Sequence, residues 1–382
     1  MWHRNNMLRH SAICGALGTC LLLACGSTAS AASFGVSNLV TNDQSVNTAS
    51  ITDPNLKNPW GLAESTGSPF WVGDNATGVS TLYAVSPTTN TVTKQGLTVT
   101  IPGDGTVTGV VFSGVAGSFN GDNFLFVSED GTISGWRGAL GTTAETLQIG
   151  SASNVYKGGA LTTIGGNAYL YAANFRAGSI DVIKGNAGAP NLTGSFVDKN
   201  ATPLPAGYAP FDIKLIGSDL FVTYALQDGA KHDDVAGPGN GYVDEFDLQG
   251  NFLGRIASRG TLDSPWGLAL APASFGNFAG DLLVGNFGDG TIDAFNLSTD
   301  AFVGALLDAS GNPLSIDGLW SLSVGNGGNG GSTQDVYFTA GPNNEGDGLF
   351  GVIAIPEPMT LSMFGFGIAG VFTMRRRKNR AG

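Results

Sequence analysis

Four oxygen-bearing side chains recur at matching places in this sequence: Asp74, Glu129, Asn174 and Asn286. Each ends a short apolar run and stands just before a glycine: Gly78, Gly131, Gly178 and Gly290 respectively. Tyr224 and Ala340 occupy the same place in two further copies of the pattern. Carboxylate and amide oxygens held on a rigid ring are the ligands Ca²⁺ takes, at about 2.3–2.6 Å. An ion held so can polarise an ester carbonyl. Asp and Asn also precede hairpin glycines for a plainer reason, because their side chains satisfy turn backbone groups. Both readings stand at this level.

Other chemistry is excluded more sharply. All three cysteines (Cys14, Cys20, Cys25) lie in the first 26 residues, inside an expected export segment, so the remaining domain has neither disulfides nor thiolate ligands. His3 and His10 lie there too, which leaves His232 as the single histidine. One imidazole cannot build a His-rich zinc site. His232 sits in the polar stretch Gly229–Asp234, which reads as a solvated loop. No Gly-x-Ser-x-Gly elbow, phosphate loop or dinucleotide fingerprint occurs.

The elements that must position the four oxygens come from internal repetition. Asn58-Pro59-Trp60-Gly61-Leu62-Ala63 returns as Ser264-Pro265-Trp266-Gly267-Leu268-Ala269, with weaker copies around Phe211 and Trp320. An apolar strand, a glycine turn and a further strand follow each copy, and six such units can be counted. Five steps separate Trp60 from Trp320, about 52 residues per step, room for a four-stranded sheet in each. The expectation is an all-β, six-bladed β-propeller over 32–355. The orphan strand Val36–Thr41 would pair with the last blade and hide a sheet edge. In such a ring the turn after each second strand and the entry to each first strand share one face. The four oxygens would therefore meet at one mouth of the channel, near Trp60, Phe211, Trp266 and Trp320. Those indoles could stack on a sugar ring, or pack between blades. The run Gly325–Gly331 reads as a plain connection.

Composition agrees with many short strands. Gly numbers 59 of 382 residues and charged residues make up 13%. Between the two chain ends, 11 basic residues face 29 acidic ones. So acidic a domain is repelled by phosphate backbones, which excludes nucleic acid and favours cations, neutral glycans or basic proteins.

The ends read as targeting segments. Residues 1–31 have the form of a signal peptide: Arg4 and Arg9, an apolar stretch, then Ala29-Ser30-Ala31 as a signal peptidase site. Leu22-Leu23-Ala24-Cys25 offers an alternative, a lipobox with Cys25 as the lipidated residue. At the other end, Pro356-Glu357-Pro358 precedes the uncharged span 359–374, then Arg375-Arg376-Arg377-Lys378. As a helix, sixteen residues reach about 24 Å, short of the ~30 Å hydrocarbon core, and the basic cluster would stay cytoplasmic. This order, over 356–382, resembles the PEP-CTERM sorting signal of Gram-negative bacteria. The resemblance implies transient anchoring in the inner membrane, processing by exosortase and delivery to the cell surface or beyond. The exported region, with Thr52-Asp53-Pro54-Asn55-Leu56 before Asn58-Pro59-Trp60, resembles a bacterial family of PEP-CTERM-tagged propellers. More widely it resembles NHL-type and lactonase-like propellers. Two functions follow as expectations. One is a surface or matrix module binding a polysaccharide, a protein or Ca²⁺, in a setting of exopolysaccharide and biofilm. The other is a metal-assisted hydrolase of the lactonase type.

Overall fold

The computed structural model describes residues 33–356. The export segment with Ala29, Ala31 and Cys25 lies outside the described residues, as does the tail from Glu357 and Pro358 to Arg375, Arg376 and Arg377. Among the described residues the helical turns are three short 3-10 segments, and no helix is long and apolar enough to cross a membrane.

Two strands precede the first repeat, β1 (Gly35–Thr41) and β2 (Ile51–Thr52). Blade 1 is β3 (Pro59–Ala63), β4 (Phe70–Asp74), β5 (Val79–Val85) and β6 (Val92–Thr100). Blade 2 is β7 (Val107–Phe112), β8 (Phe124–Ser128), β9 (Ile133–Trp136) and β10 (Glu145–Gln148). Blade 3 has β11 (Tyr156–Ile164), β12 (Asn167–Asn174) and β13 (Ser179–Lys184). Blade 4 is β14 (Tyr208–Ile216), β15 (Asp219–Leu226), β16 (Gly241–Phe246) and β17 (Phe252–Ser258). Blade 5 is β18 (Pro265–Leu270), β19 (Leu282–Asn286), β20 (Ile292–Asn296) and β21 (Ala301–Ala305). Blade 6 holds β22 (Leu319–Val324), β23 (Val336–Ala340) and β24 (Leu349–Ala354). The inner strands β3, β7, β11, β14, β18 and β22 touch in an unbroken circle, so the molecule is a closed six-bladed propeller.

Closure uses the N-terminal strand. β1 runs antiparallel to β24, from Gly35 opposite Ala354 to Thr41 opposite Leu349, and β2 adds a short parallel pairing outside it. Blades 6 and 1 then meet through Phe70, Tyr337 and Phe350, whose rings lie 4.8–6.3 Å apart. The inner strands approach so closely that a Cβ on Gly61 would meet the Thr108 carbonyl at 2.5 Å. Gly78, Gly178 and Gly290 take φ of 65°, 69° and 74° in their hairpins, a region that resists other residues.

Two local expectations change. Blade 3 has three strands, because residues 185–207 form no fourth one. Pro190, Pro203 and Pro205 remove backbone donors there, and Phe196 instead packs against Tyr171 and Phe246. The glycine run 325–331 is a staple between blades. Asn326 Nδ2 donates to the Ser65 and Ser68 carbonyls at 2.8 and 2.9 Å, and the Val85 N–H donates to the Asn329 carbonyl at 2.7 Å.

Candidate functional site

Strand register decides which side chains reach the axis. Asp74 lies opposite Pro59, Asn174 opposite Tyr156, Tyr224 opposite Pro210, Asn286 opposite Pro265 and Ala340 opposite Leu319. In blade 2 that place belongs to Ser128, opposite Val107, and Glu129 falls one residue beyond it. The turn of blade 2 is also shorter by one residue. Gly78, Gly178 and Gly290 donate to the carbonyl four residues back, whereas Gly131 donates to Ser128, three back. Glu129 stands two residues before Gly131 and Ser128 three, against four for Asp74, Asn174 and Asn286 before their glycines, so spacing from the glycine does not make Glu129 their equivalent.

The structure engages Asp74, Asn174 and Asn286 within their own blades. Each bonds to the residue seven positions on, across to the third strand. Thr81 Oγ1 donates to Asp74 Oδ2 at 2.8 Å, Asn174 Nδ2 to Asp181 Oδ2 at 2.9 Å, and Asn286 Nδ2 to Asp293 Oδ2 at 3.0 Å. Asn286 Oδ1 also accepts from the Asp263 N–H, and Asn174 Oδ1 from the Ala177 N–H. Burial pushes the Asp74 carboxyl well above the carboxylate range and favours its neutral form. Of the four expected ion ligands, only Glu129 is among the cavity-lining residues of the mouth.

One layer in, the inner-strand positions that follow the register residues are Trp60, Thr108, Lys157, Phe211, Trp266 and Trp320. Trp60 stacks on Trp320 with centroids 3.5 Å apart, and Phe287 stacks on the same indole at 3.9 Å. Trp266 meets both indoles edge-on. With Phe175 and Phe211 these rings form one buried cluster that plugs the channel. Trp60, Trp266 and Trp320 are 4%, 3% and 1% exposed, which is the packing role and leaves little face for a sugar.

Above the plug lies a cavity of about 420 Å³ walled by Glu129, Lys157, His232, Asp233, Asp234 and Glu345. Lys157 takes the inner-strand place that Trp occupies in three other blades. Its ammonium bonds Glu129 Oε1 at 2.5 Å, lies 3.5 Å from Asp233 Oδ1, and stands 4.9 Å from the Trp60 ring centroid. Asn75 Nδ2 donates to the other Glu129 oxygen at 3.1 Å. His232 Nδ1 and Asp233 Oδ1 are 2.8 Å apart. Glu345 is held by Asn58, whose Nδ2 donates to it at 2.6 Å while its Oδ1 accepts from Trp320 Nε1. Asn343, Asn344 and Glu345 all have φ between 51° and 63°, a costly left-handed run that turns Glu345 inward. Burial raises the carboxyls of both Asp234 and Glu345.

The lactonase resemblance implies a divalent ion, and Glu129, His232 and Asp233 do bring ligand atoms within 4.8 Å of one another. Lys157 sits between two of them, however, and its ammonium already supplies the central positive charge. With that side chain in place the residues do not fit a divalent ion.

The sequence reading missed Lys157, His232, Asp233, Asp234 and Glu345 as members of one site. His232 is not a bystander: the β15–β16 connection, residues 227–240, brings it to the mouth. The signal was available. A connection after a second strand belongs to this face, so a long one there must sit over the channel.

No protein-family model matches the chain. Uncharacterized protein R648 of Acanthamoeba polyphaga mimivirus is 32% identical over 326 residues, 80% of this chain and 77% of that protein. The chain belongs to the same family. Uncharacterized protein L690 of the same virus is also 32% identical, over 79% of this chain and 81% of its own length. Solved structures of similar shape include a glucose dehydrogenase (12% identity, TM-score 0.49, 83% of this chain and 98% of that one). A streptogramin B lyase structure has 11% identity and a TM-score of 0.46, over 84% of this chain and 97% of that one.

Proposed function

We propose that this chain is an exported binding module whose acidic mouth receives a cationic group, the ammonium or guanidinium of a basic protein partner in the extracellular layer. One observation carries the reading: Glu129, Asp233, Asp234 and Glu345 converge on a single cavity against the one ammonium of Lys157. Burial makes ionisation of Asp234 and Glu345 costly, and an incoming cation offsets that cost. The sealed indoles argue against sugar stacking, so a polysaccharide partner would have to bind through charged groups. A metal-assisted hydrolase has the Glu129–His232–Asp233 grouping in its favour and Lys157 against it.

Export rests on the sequence of the two ends. Signal peptidase would cut after Ala31, and exosortase would read Pro356-Glu357-Pro358 and the Arg375–Arg377 cluster after transient anchoring through 359–374. The described propeller begins at Ser33 and ends at Pro356, between the two segments. Calorimetry with tetralysine tests the binding reading. Binding that weakens with salt and is lost in Asp233→Asn/Asp234→Asn supports it; no heat, or equal binding of a neutral oligosaccharide, overturns it. Mass spectrometry of the exported protein tests the two cuts.

A further inference from the structure

The other end of the channel has a different character. Beyond the plug the inner strands carry Gly61, Gly109, Gly158, Asp212, Gly267 and Ser321 at one level, and Gly61, Gly109, Asp212 and Ser321 line a small cavity of about 20 Å³. The strand ends then splay into two adjoining cavities of about 270 and 250 Å³. Leu62, Val110, Leu161, Leu215 and Leu268 line them, the smaller being mainly apolar and the larger mixed, and Phe112 and Leu270 stand exposed at the rim. Lys214 lines all three cavities, and Ser323 lines the two larger ones.

Charge in this funnel is sparse. Its lining holds three titratable side chains, Glu64, Asp212 and Lys214. Ser323 Oγ donates to Glu64 at 3.2 Å. Lys214 takes part in no ion pair or side-chain hydrogen bond among the described residues. Burial lifts Asp212 to about 8 and Glu64 to about 7, and Lys214 is the one charged neighbour acting on either. Near neutral pH the ammonium is therefore under-compensated.

We propose that this funnel is a second binding site, specific for a small amphiphilic carboxylic acid. Its carboxylate pairs with Lys214 and hydrogen-bonds to Glu64, and its apolar body lies along Leu62, Val110, Leu215 and Leu268. Each cavity alone is below the roughly 300–1,000 Å³ of small-molecule sites, and the two joined reach that range. Apolar walls supply affinity and the ammonium supplies selectivity among head groups. A protonated Glu64 donates to the bound carboxylate, whereas an ionised one repels it.

The test is calorimetry of the full chain with octanoate, octanol and octylammonium at pH 6 and pH 8. Octanoate should bind best, and about tenfold more tightly at pH 6, following the protonated fraction of Glu64. Lys214→Met keeps the apolar stem and should weaken octanoate at least tenfold while leaving octanol unchanged. Glu64→Gln should cut the difference between the two pH values to about twofold, the part left by Asp212 ionising near 8 beside Lys214, a readout that does not depend on how the Lys214 variant folds. Octylammonium binding as tightly as octanoate, or octanoate insensitive to Lys214→Met, overturns the proposal.

Discussion

Lys157 holds its ammonium 2.5 Å from Glu129 and 4.9 Å from the centre of the Trp60 ring, with a side chain only 2% exposed. A charge so placed joins the channel plug to the acidic mouth.

Replacing Lys157 with Met should leave Glu129 buried without its partner. Breaking a buried pair from one side costs about 3–5 kcal/mol, which urea denaturation will read. The same variant frees the Glu129–His232–Asp233 grouping. Millimolar Ca²⁺ should then raise the melting temperature of Lys157→Met and leave that of the wild type unchanged. A shift in the wild type would show that the ammonium yields to a metal.

Asp212 is buried beside the axis, and burial pushes its carboxyl up to about 8, far above the ~3.9 of an exposed aspartate. The folded state thus holds a proton that the unfolded chain gives up above about pH 4, so stability falls as pH rises through that window. Asp212→Asn removes the penalty. The variant should exceed the wild type by an amount on the order of 1–4 kcal/mol at pH 7, with the gap closing toward pH 4. Equal pH dependence in the two proteins would mean the carboxyl is ionised in place.

Val40 is fully buried in the strand that closes blade 6. Val40→Asp should detach β1, expose the edge of β24 and cause self-association. Gel filtration should show larger species alongside a cooperative loss of stability.

Asn326→Ala removes the side-chain bonds to Ser65 and Ser68 and those accepted from Gly328 and Gly330. At about 0.5–1.5 kcal/mol for each net bond, the four together should cost about 2–6 kcal/mol. Hydrogen exchange should rise at Val85 and Gly331, whose backbones the staple joins. A plain flexible connection would leave both measurements unchanged.

Much of the architecture was legible because repetition marks it. Pro59-Trp60-Gly61 and Pro265-Trp266-Gly267 announce inner strands, and the unattached Val36–Thr41 announces the closing one. The site was less legible because its members do not repeat. Lys157 replaces a Trp in a blade whose inner strand lacks the Pro-Trp pair, and Glu345 enters through a left-handed turn that no glycine advertises. Glu129 was found for a mistaken reason, since the register of blade 2 gives the place of Asp74, Asn174 and Asn286 to Ser128. Those three are common hairpin chemistry, and residue type alone does not separate turn ligands from ion ligands.

The stacked indoles of Trp60 and Trp320 act as a septum. They turn what would be a tunnel into two blind wells that open on opposite surfaces of a disc. Solute cannot cross from one well to the other, so each exchanges only with its own side. A disc with two such independent wells can be occupied at both at once.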